Sequence, residues 1–515
     1  MSTQTLAIAA PAPPRRWVRL LAPSLGDVYF VTSILWLFAA GAYGWHALLA
    51  DGDVGTHIRI GDYILAYHRV PTHDFLAFSK PGQEWYAFEW LTEVLFSRLH
   101  AFAGLKGVVL FSGVVIVASY TLLLLQSLWR GGNIVISLVL VLMAVNASSI
   151  HFLARPHIFT LLFVSAAMWL IAADRLRRTP ALWLIVPMVV AWTNLHGGFF
   201  VLFALLGLLV AGSLAEWGIW GEFAARRKSD AVRYALLGAA CAAASLINPY
   251  GLKLHLFLVD YLRSDRIRDG VREFQSPSFR GENMLLYMVL LFLALALTGV
   301  LLRKRRLTEV LWLWFLGYNS LVSVRHVPLF AIVAAPILAG EITALWSRWV
   351  QARPSRSIAR TLDAVTAQYQ CRGLSLGLWA PAVTLWLAFS QGAGWPRDFL
   401  EGPFPVKIVA AHADEIAASR VFTSDGWAGY LIYKNYPRQK VFFDDRHHYF
   451  GEPIIGDYLK IGGGSRQWRE LMNRYGLDHA LVGSDSPIAS LLRLEPDWTA
   501  VQDDGSAVLF RRNVR

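Results

Sequence analysis

The chain has 515 residues, of which 55% are hydrophobic, 13% aromatic and 16% charged, against roughly 25% charged in a soluble domain. Its 21 Trp suit a protein with two lipid–water interfaces, and its formal charge of +12 sits in clusters between apolar runs, which excludes a nucleic-acid-binding face. Two cysteines, Cys241 and Cys371, exclude a disulfide framework and a cysteine metal site.

In chain order, Met1 to Pro14 reads as a flexible Ala/Pro tail without a cleavable signal, and residues 1–27 form a basic cytoplasmic segment carrying Arg15, Arg16 and Arg19. A crossing needs about 20 apolar residues, and by that measure about eleven follow. They lie near 28–49, 105–127, 133–151, 156–173, 181–195, 198–215, 233–248, 284–302, 308–322, 326–345 and 373–391. The connections with Arg175, Arg177 and Arg178, with Arg226, Arg227, Lys228 and Arg233, with Arg303 to Arg306, and with Arg348 to Arg372 then all fall on one side. By the positive-inside rule that side is the cytoplasm. The predicted architecture is a polytopic α-helical membrane module over 28–391, with a first extracytoplasmic loop at 50–104. A small extracytoplasmic α/β domain over 392–515 follows it. Within that tail, Val421 to Thr423, Lys440 to Phe443, Ala480 to Val482 and Val508 to Phe510 read as strands. Ile455 to Ile461, Gln467 to Tyr475 and Ile488 to Leu494 read as helices, with Trp427, Tyr430 and Leu431 as core. There is no internal repeat, phosphate-cradling glycine loop or dinucleotide fingerprint.

Chemistry-bearing residues collect on the extracytoplasmic side. Asp51 and Asp53 stand at the exit of the first span, where a carboxylate is expensive to desolvate, with His57 behind them. The loop continues through Glu84, Glu89 and Glu93, with helical periodicity over 56–67 and 87–100, as in helices lying in the interface. Asp-x-Asp can supply a general base for an acceptor hydroxyl. With His57, the same pair can hold a divalent cation such as Mg or Mn. The sequence leaves both open. Arg155 and Arg325 are cationic residues on the non-basic side, and a guanidinium grips phosphate through paired hydrogen bonds. His157, His196 and His326 accompany them. Snorkelling to the interface and ordinary helix-start roles are the bland readings of these residues.

Several stretches resemble the GT-C superfamily of polyprenyl-phosphate-sugar-dependent glycosyltransferases. They are Asp51-Gly-Asp53 with His57 and Gly61, Phe88 to Leu91, Arg155-Pro156-His157, Asn194 to Gly198, Asn248 to Gly251 and Gln275 to Pro277. In the tail, Asp425 to Trp427, Gly429 to Leu431 and Val441 to Arg446 join them. The likeness is to bacterial proteins related to protein O-mannosyltransferases and lipid A aminoarabinose transferases. It implies an inverting transferase that moves a sugar from a polyprenyl-phosphate donor to a glycan, lipid or protein acceptor of the envelope. It also implies that Asp51 or Asp53 is the base or a metal ligand, and that the chain resides in a bacterial inner membrane with its N-terminus inside. Two other readings are a flippase for a lipid-linked glycan and a non-catalytic envelope-assembly protein. The first calls for ionisable groups at mid-membrane and for repeated halves, neither of which the sequence offers.

Overall fold

In lipid, a long apolar run must pair every backbone N–H and C=O within itself, so it folds as a helix. The computed structural model describes residues 21–39, 44–264, 272–280, 284–370, 377–390 and 394–513. The basic tail with Arg15, Arg16 and Arg19, as well as Cys371 and Arg372, lies outside the described residues. Among those described, 6 helices are long and apolar enough to cross a membrane: Trp90–Trp129, Ile134–His151, Ile158–Leu176, Gly197–Trp220, Leu285–Arg303 and Val324–Gln351. The other predicted crossings are also helical. Leu25–Phe38, Pro180–Leu195 and Trp379–Phe389 are shorter apolar helices. Ala225–Ser245 and Leu307–Val322 fill two more positions, the first opening on the charged run Arg226, Arg227, Lys228 and Asp230. The predicted 28–49 crossing is not one helix, because a separate five-residue helix, Gly44–Leu48, starts at a glycine with φ of 32°.

The interfacial helix expected over 56–67 begins earlier, at Asp53, and runs to Tyr67. The one expected over 87–100 is joined to the following crossing in a single 40-residue element, Trp90–Trp129. Ala103 and Gly104 break it, Gly104 with φ of 62°, a conformation that glycine adopts without strain. The break lets the segment before it turn away from the crossing and pack along Asp53–Tyr67.

The basic connections at one end of the bundle are matched by buried acids. Arg175 and Arg227 pair with Glu216, and Arg233 pairs with Asp174. Arg178, Arg226 and Arg227 converge on Asp230. Arg130 and Arg306 hold Glu309, and Lys304 and Arg306 hold Glu341.

The tail carries a four-stranded sheet in the order β1-β2-β4-β3. These strands are Val421–Thr423, His479–Gly483, Trp498–Asp503 and Ala507–Arg512, numbered β1 to β4 along the chain. β1 and β2 are parallel, while β2–β4 and β3–β4 are antiparallel. Tyr430 and Leu431 are fully buried, as their spacing predicts, and Trp427 is half-buried. Lys440 to Phe443 is not a strand of this sheet. Val441 instead forms a parallel bridge to Ala77 of the first loop, accepting from Phe78 N at 3.0 Å and donating to Leu76 O at 2.9 Å. The remaining place in the sheet is taken by β3, whose half-exposed Trp-Thr-Ala-Val-Gln-Asp pattern carries little strand signal.

The tail is locked to the Asp53–Tyr67 helix by glycines. A Cβ on Gly52 would lie 1.9 Å from Gly426 O, and one on Gly429 would lie 2.4 Å from Gly52 O. Arg59 closes the same seam, donating from Nε and Nη2 to Tyr433 O at 2.9 and 2.7 Å.

Candidate active site

The site is assembled on the first turn of Asp53–Tyr67. Asp51 Oδ1 accepts from Asp53 N at 3.1 Å, which fixes the start of the helix. One turn later, His57 Nε2 lies 3.2 Å from Asp53 Oδ2 and 3.6 Å from Glu89 Oε2, while its Nδ1 is 3.4 Å from Glu93 Oε1. Another turn on, Gly61 allows the approach that brings Glu93 there, since a Cβ at Gly61 would lie 2.0 Å from Glu93 O.

Arg155 is the hub. Its Nη1 is 2.9 Å from Asp51 Oδ2 and 3.0 Å from Glu273 Oε1, and its Nη2 is 2.7 Å from Asp53 Oδ2 and 3.5 Å from Asp445 Oδ2. Four carboxylates thus share one guanidinium, so Arg155 is not free to grip a phosphate as its sequence position suggests.

The motif Asn194 to Gly198 has two jobs. Asn194 accepts from Trp90 Nε1 at 2.7 Å and donates to Ile247 O at 2.8 Å, which ties helix ends together. His196 Nδ1 accepts from Gly198 N at 3.0 Å, which leaves Nε2 to carry the proton toward Glu89 Oε1 at 3.5 Å. His157 Nε2 donates to His151 O at 2.6 Å.

Arg325 differs from Arg155. Its guanidinium lies over the Phe274 ring at 4.5 Å, and its Nη1 is buried without a hydrogen-bond partner among the described residues. His326 Nδ1 and His151 Nε2 are buried and unpartnered in the same way.

Buried charges of both signs split the protonation states. Burial alone would raise Asp53, but His57 and Arg155 outweigh it and hold the carboxyl well below its ordinary range. Burial pushes Glu89 up to about 8, against the pull of His57. Burial and the adjoining Asp53 charge raise Asp445 well above the carboxylate range. Despite burial, Arg155 and Arg325 hold Glu273 down to about 2. Burial, with His157 nearby, keeps His196 neutral by lowering it well below the usual imidazole value.

These groups surround a cavity of about 400 Å³, lined by Asp53, His57, Glu89, Arg155, His157, His196, Arg325 and His326. Asp51 reaches it through Arg155. On one side the lining turns apolar, through Phe200, Val201, Ala204, Leu258, Phe315 and Leu316. On the other it includes Asp445, Arg446, His447 and His448 from the tail. The sequence candidates are therefore brought together. Glu93, Glu273 and Asp445 were not among them. Glu93 stood out only as one acid of the first loop and Glu273 not at all, while the Val441 to Arg446 stretch contained the last.

Carboxylate oxygens suit Mg or Mn. In this arrangement Arg155 bridges the Asp51 and Asp53 carboxylates, and His57 contacts Asp53, Glu89 and Glu93. Among the described residues, no group of three or more His, Cys, Asp or Glu is arranged to hold a metal.

No family model matches the sequence, and no curated protein matches it. Solved structures do match. An Archaeoglobus fulgidus oligosaccharyltransferase tethered to an acceptor peptide aligns with a TM-score of 0.57 at 11% identity, over 91% of this chain and 69% of that one. The archaeal oligosaccharyltransferase AglB from Archaeoglobus fulgidus, in complex with an inhibitory peptide and dolichol-phosphate, aligns at 0.53 and 12%, over 89% and 69%. This chain has the GT-C fold. ArnT from Cupriavidus metallidurans bound to undecaprenyl phosphate aligns over 94% of this chain and 97% of ArnT, at 14% identity and a TM-score of 0.44.

Proposed function

We propose that this protein is an inverting glycosyltransferase, taking a sugar from a polyprenyl-phosphate donor to a hydroxyl of an envelope acceptor on the extracytoplasmic side. One observation carries the reading. An ionised, buried carboxylate faces a cavity that runs from acids and histidines into an apolar wall between membrane helices, with Arg325 Nη1 beside it and without a hydrogen-bond partner among the described residues. The apolar wall suits an isoprenoid tail, and the AglB structure with dolichol-phosphate supports a lipid phosphate in a fold of this kind.

Asp53 faces the cavity and receives the acceptor's proton. The acceptor oxygen forms its bond to the anomeric carbon on the face opposite the phosphate, and the carbon–oxygen bond to phosphate breaks. Negative charge develops on the departing phosphate, where Arg325 and the neighbouring imidazoles stabilise it. Asp53 is a weak base when held so far down, which suits a hydroxyl that becomes acidic only as its new bond forms. Asp51 steadies Arg155 and the helix start. A divalent cation on Asp51, Asp53 and His57 would have to displace Arg155, so turnover is expected to survive dialysis against EDTA; loss restored by Mg or Mn would replace Arg155 with a metal in this scheme. The placement of the site outside follows from the basic excess at the other end of the bundle.

The direct test uses undecaprenyl-phosphate hexoses and pentoses, following release of undecaprenyl phosphate by mass spectrometry. Asp53→Asn is expected to stop release while the protein still inserts and binds undecaprenyl phosphate. Full activity in Asp53→Asn and in Asp51→Asn would end the proposal.

A further inference from the structure

Asp445 reaches the centre of the site from the tail rather than from the membrane helices, and the residues around it fix its position. Phe442 and Phe443 before it are buried. Arg446 after it is clamped to Asp444 at 2.7 Å and to Asp74 of the first loop at 2.6 Å, and its guanidinium lies over the Trp85 ring at 4.7 Å. The Val441–Ala77 bridge and the Gly52–Gly426 and Gly52–Gly429 contacts complete the mount. From there, Asp445 Oδ2 lies 3.5 Å from the Arg155 nitrogen that also holds Asp53 Oδ2 at 2.7 Å, which sets the two carboxyl groups against each other. Asp53 therefore has contacts on three sides: His57 on its own helix, Arg155 from the membrane module and Asp445 from the tail.

We propose that Asp445 is a positioning residue, which fixes the orientation of Asp53 on Arg155 and so makes the docked tail part of the reacting geometry. This rests on the transfer reading above. A base placed by contacts on several sides keeps one geometry through the reaction, and a displacement of about 1 Å can cost on the order of 100-fold in rate. The tail then does more than roof the cavity, because it supplies one of the three contacts that hold the reacting carboxylate.

The test uses the full chain in lipid nanodiscs, with undecaprenyl-phosphate hexoses and pentoses as donors and undecaprenyl phosphate alone as the binding probe. Asp445→Ala is expected to lower kcat by about 100-fold, with donor KM and undecaprenyl phosphate affinity within about threefold of wild type. Asp445→Asn, which can still donate to Asp53, is expected to recover at least tenfold over the alanine variant. Asp445→Glu keeps the carboxyl group but moves it out by a methylene, and is expected to stay as slow as alanine; it is read in place of alanine should that variant not fold. Wild-type kcat in Asp445→Glu or in a folded Asp445→Ala overturns the proposal. So does an equal loss in the alanine, asparagine and glutamate variants accompanied by weaker undecaprenyl phosphate binding and earlier unfolding, since that marks a merely structural group. A wild-type protein that releases no undecaprenyl phosphate from any donor overturns the transfer reading, and this role falls with it.

Discussion

The two ends of the helical bundle both bury charge, but they balance it differently. Where Ile158–Leu176 ends, Asp174, Glu216, Asp230, Glu309 and Glu341 each meet at least one Arg or Lys, and most meet two or three. Where the same helix begins, Asp51, Asp53, Glu273 and Asp445 share Arg155, while the cationic partners nearest Glu89 and Glu93 among the described residues are imidazoles. Arg325 stands close by with a buried, unpartnered nitrogen. In the first arrangement every one of these buried acids is neutralised by a cation. The second crowds six carboxyl groups around Arg155 and a few imidazoles and leaves one nitrogen of Arg325 without a hydrogen-bond partner among the described residues, with a cavity between them. Unbalanced buried groups cost stability unless a ligand completes them, which is why such sites report function where matched pairs report packing.

The sharpest way to break this comparison is to remove one acid from each end. Asp53→Asn is expected to reduce sugar transfer per folded molecule by at least about 1,000-fold, as removal of an acid–base group in a transition state does, and to lower stability as well, since His57 and Arg155 hold its carboxylate down in the folded protein. Glu216→Ala is expected to lower stability alone. Glu216 is 1% exposed and accepts from Thr308 N and Oγ1 as well as pairing with Arg175 and Arg227. Its loss should cost about 3–5 kcal/mol in stability, read by thermal or denaturant unfolding, and leave transfer per folded molecule near wild type. Equal behaviour of the two variants would erase the distinction. Next in size, Arg325→Gln is expected to weaken undecaprenyl phosphate binding by about 10–100-fold, in line with a charge-assisted pair to phosphate. Arg155→Gln, whose charge is already claimed by carboxylates, should slow transfer more than it weakens binding.

The tail and the membrane module pose a comparison of their own. Gly429 sits against Gly52 O, so Gly429→Val forces the two helices apart. Transfer should fall by about 10–100-fold while undecaprenyl phosphate binding stays, because Arg325 belongs to the membrane module and Asp445 to the tail. Binding and transfer falling together would show that the tail shapes the anion site too.

How much of this was legible in the sequence follows from how local each signal is. The helices announced themselves by apolar length and the buried core of the tail by spacing. Asp51, Asp53 and His57 were visible because acids at a helix exit stand out against an apolar background. Arg155 was visible as a cation, yet its role was not, since its partners Glu273 and Asp445 lie 118 and 290 residues further along the chain, by the numbering. Nothing in Lys440 to Phe443 shows that Val441 would pair with Ala77 rather than join the tail's own sheet. Nor does the run of basic connections show the acids buried beneath them. Pairing across the chain decided each of these, and composition records none of it.

Glu89 gives the smallest and most discriminating effect. It is buried between His57 and His196 and titrates near 8 rather than near its ordinary 4.5. The folded protein therefore keeps a proton that the unfolded chain releases, so this residue's contribution to stability declines as pH rises from about 4.5 to about 8 and is flat above that. Glu89→Gln fixes the neutral form. It is expected to leave transfer at pH 7 within about threefold of wild type, since the proton is already present there. It should also remove the part of the stability decline across that interval that belongs to Glu89, read as unfolding against pH in both proteins. An unchanged slope would mean that Glu89 is ionised at neutral pH and paired with His57, which would move the acid excess of this end from six carboxylates competing for few cations toward a set as closely matched as the one at the other end.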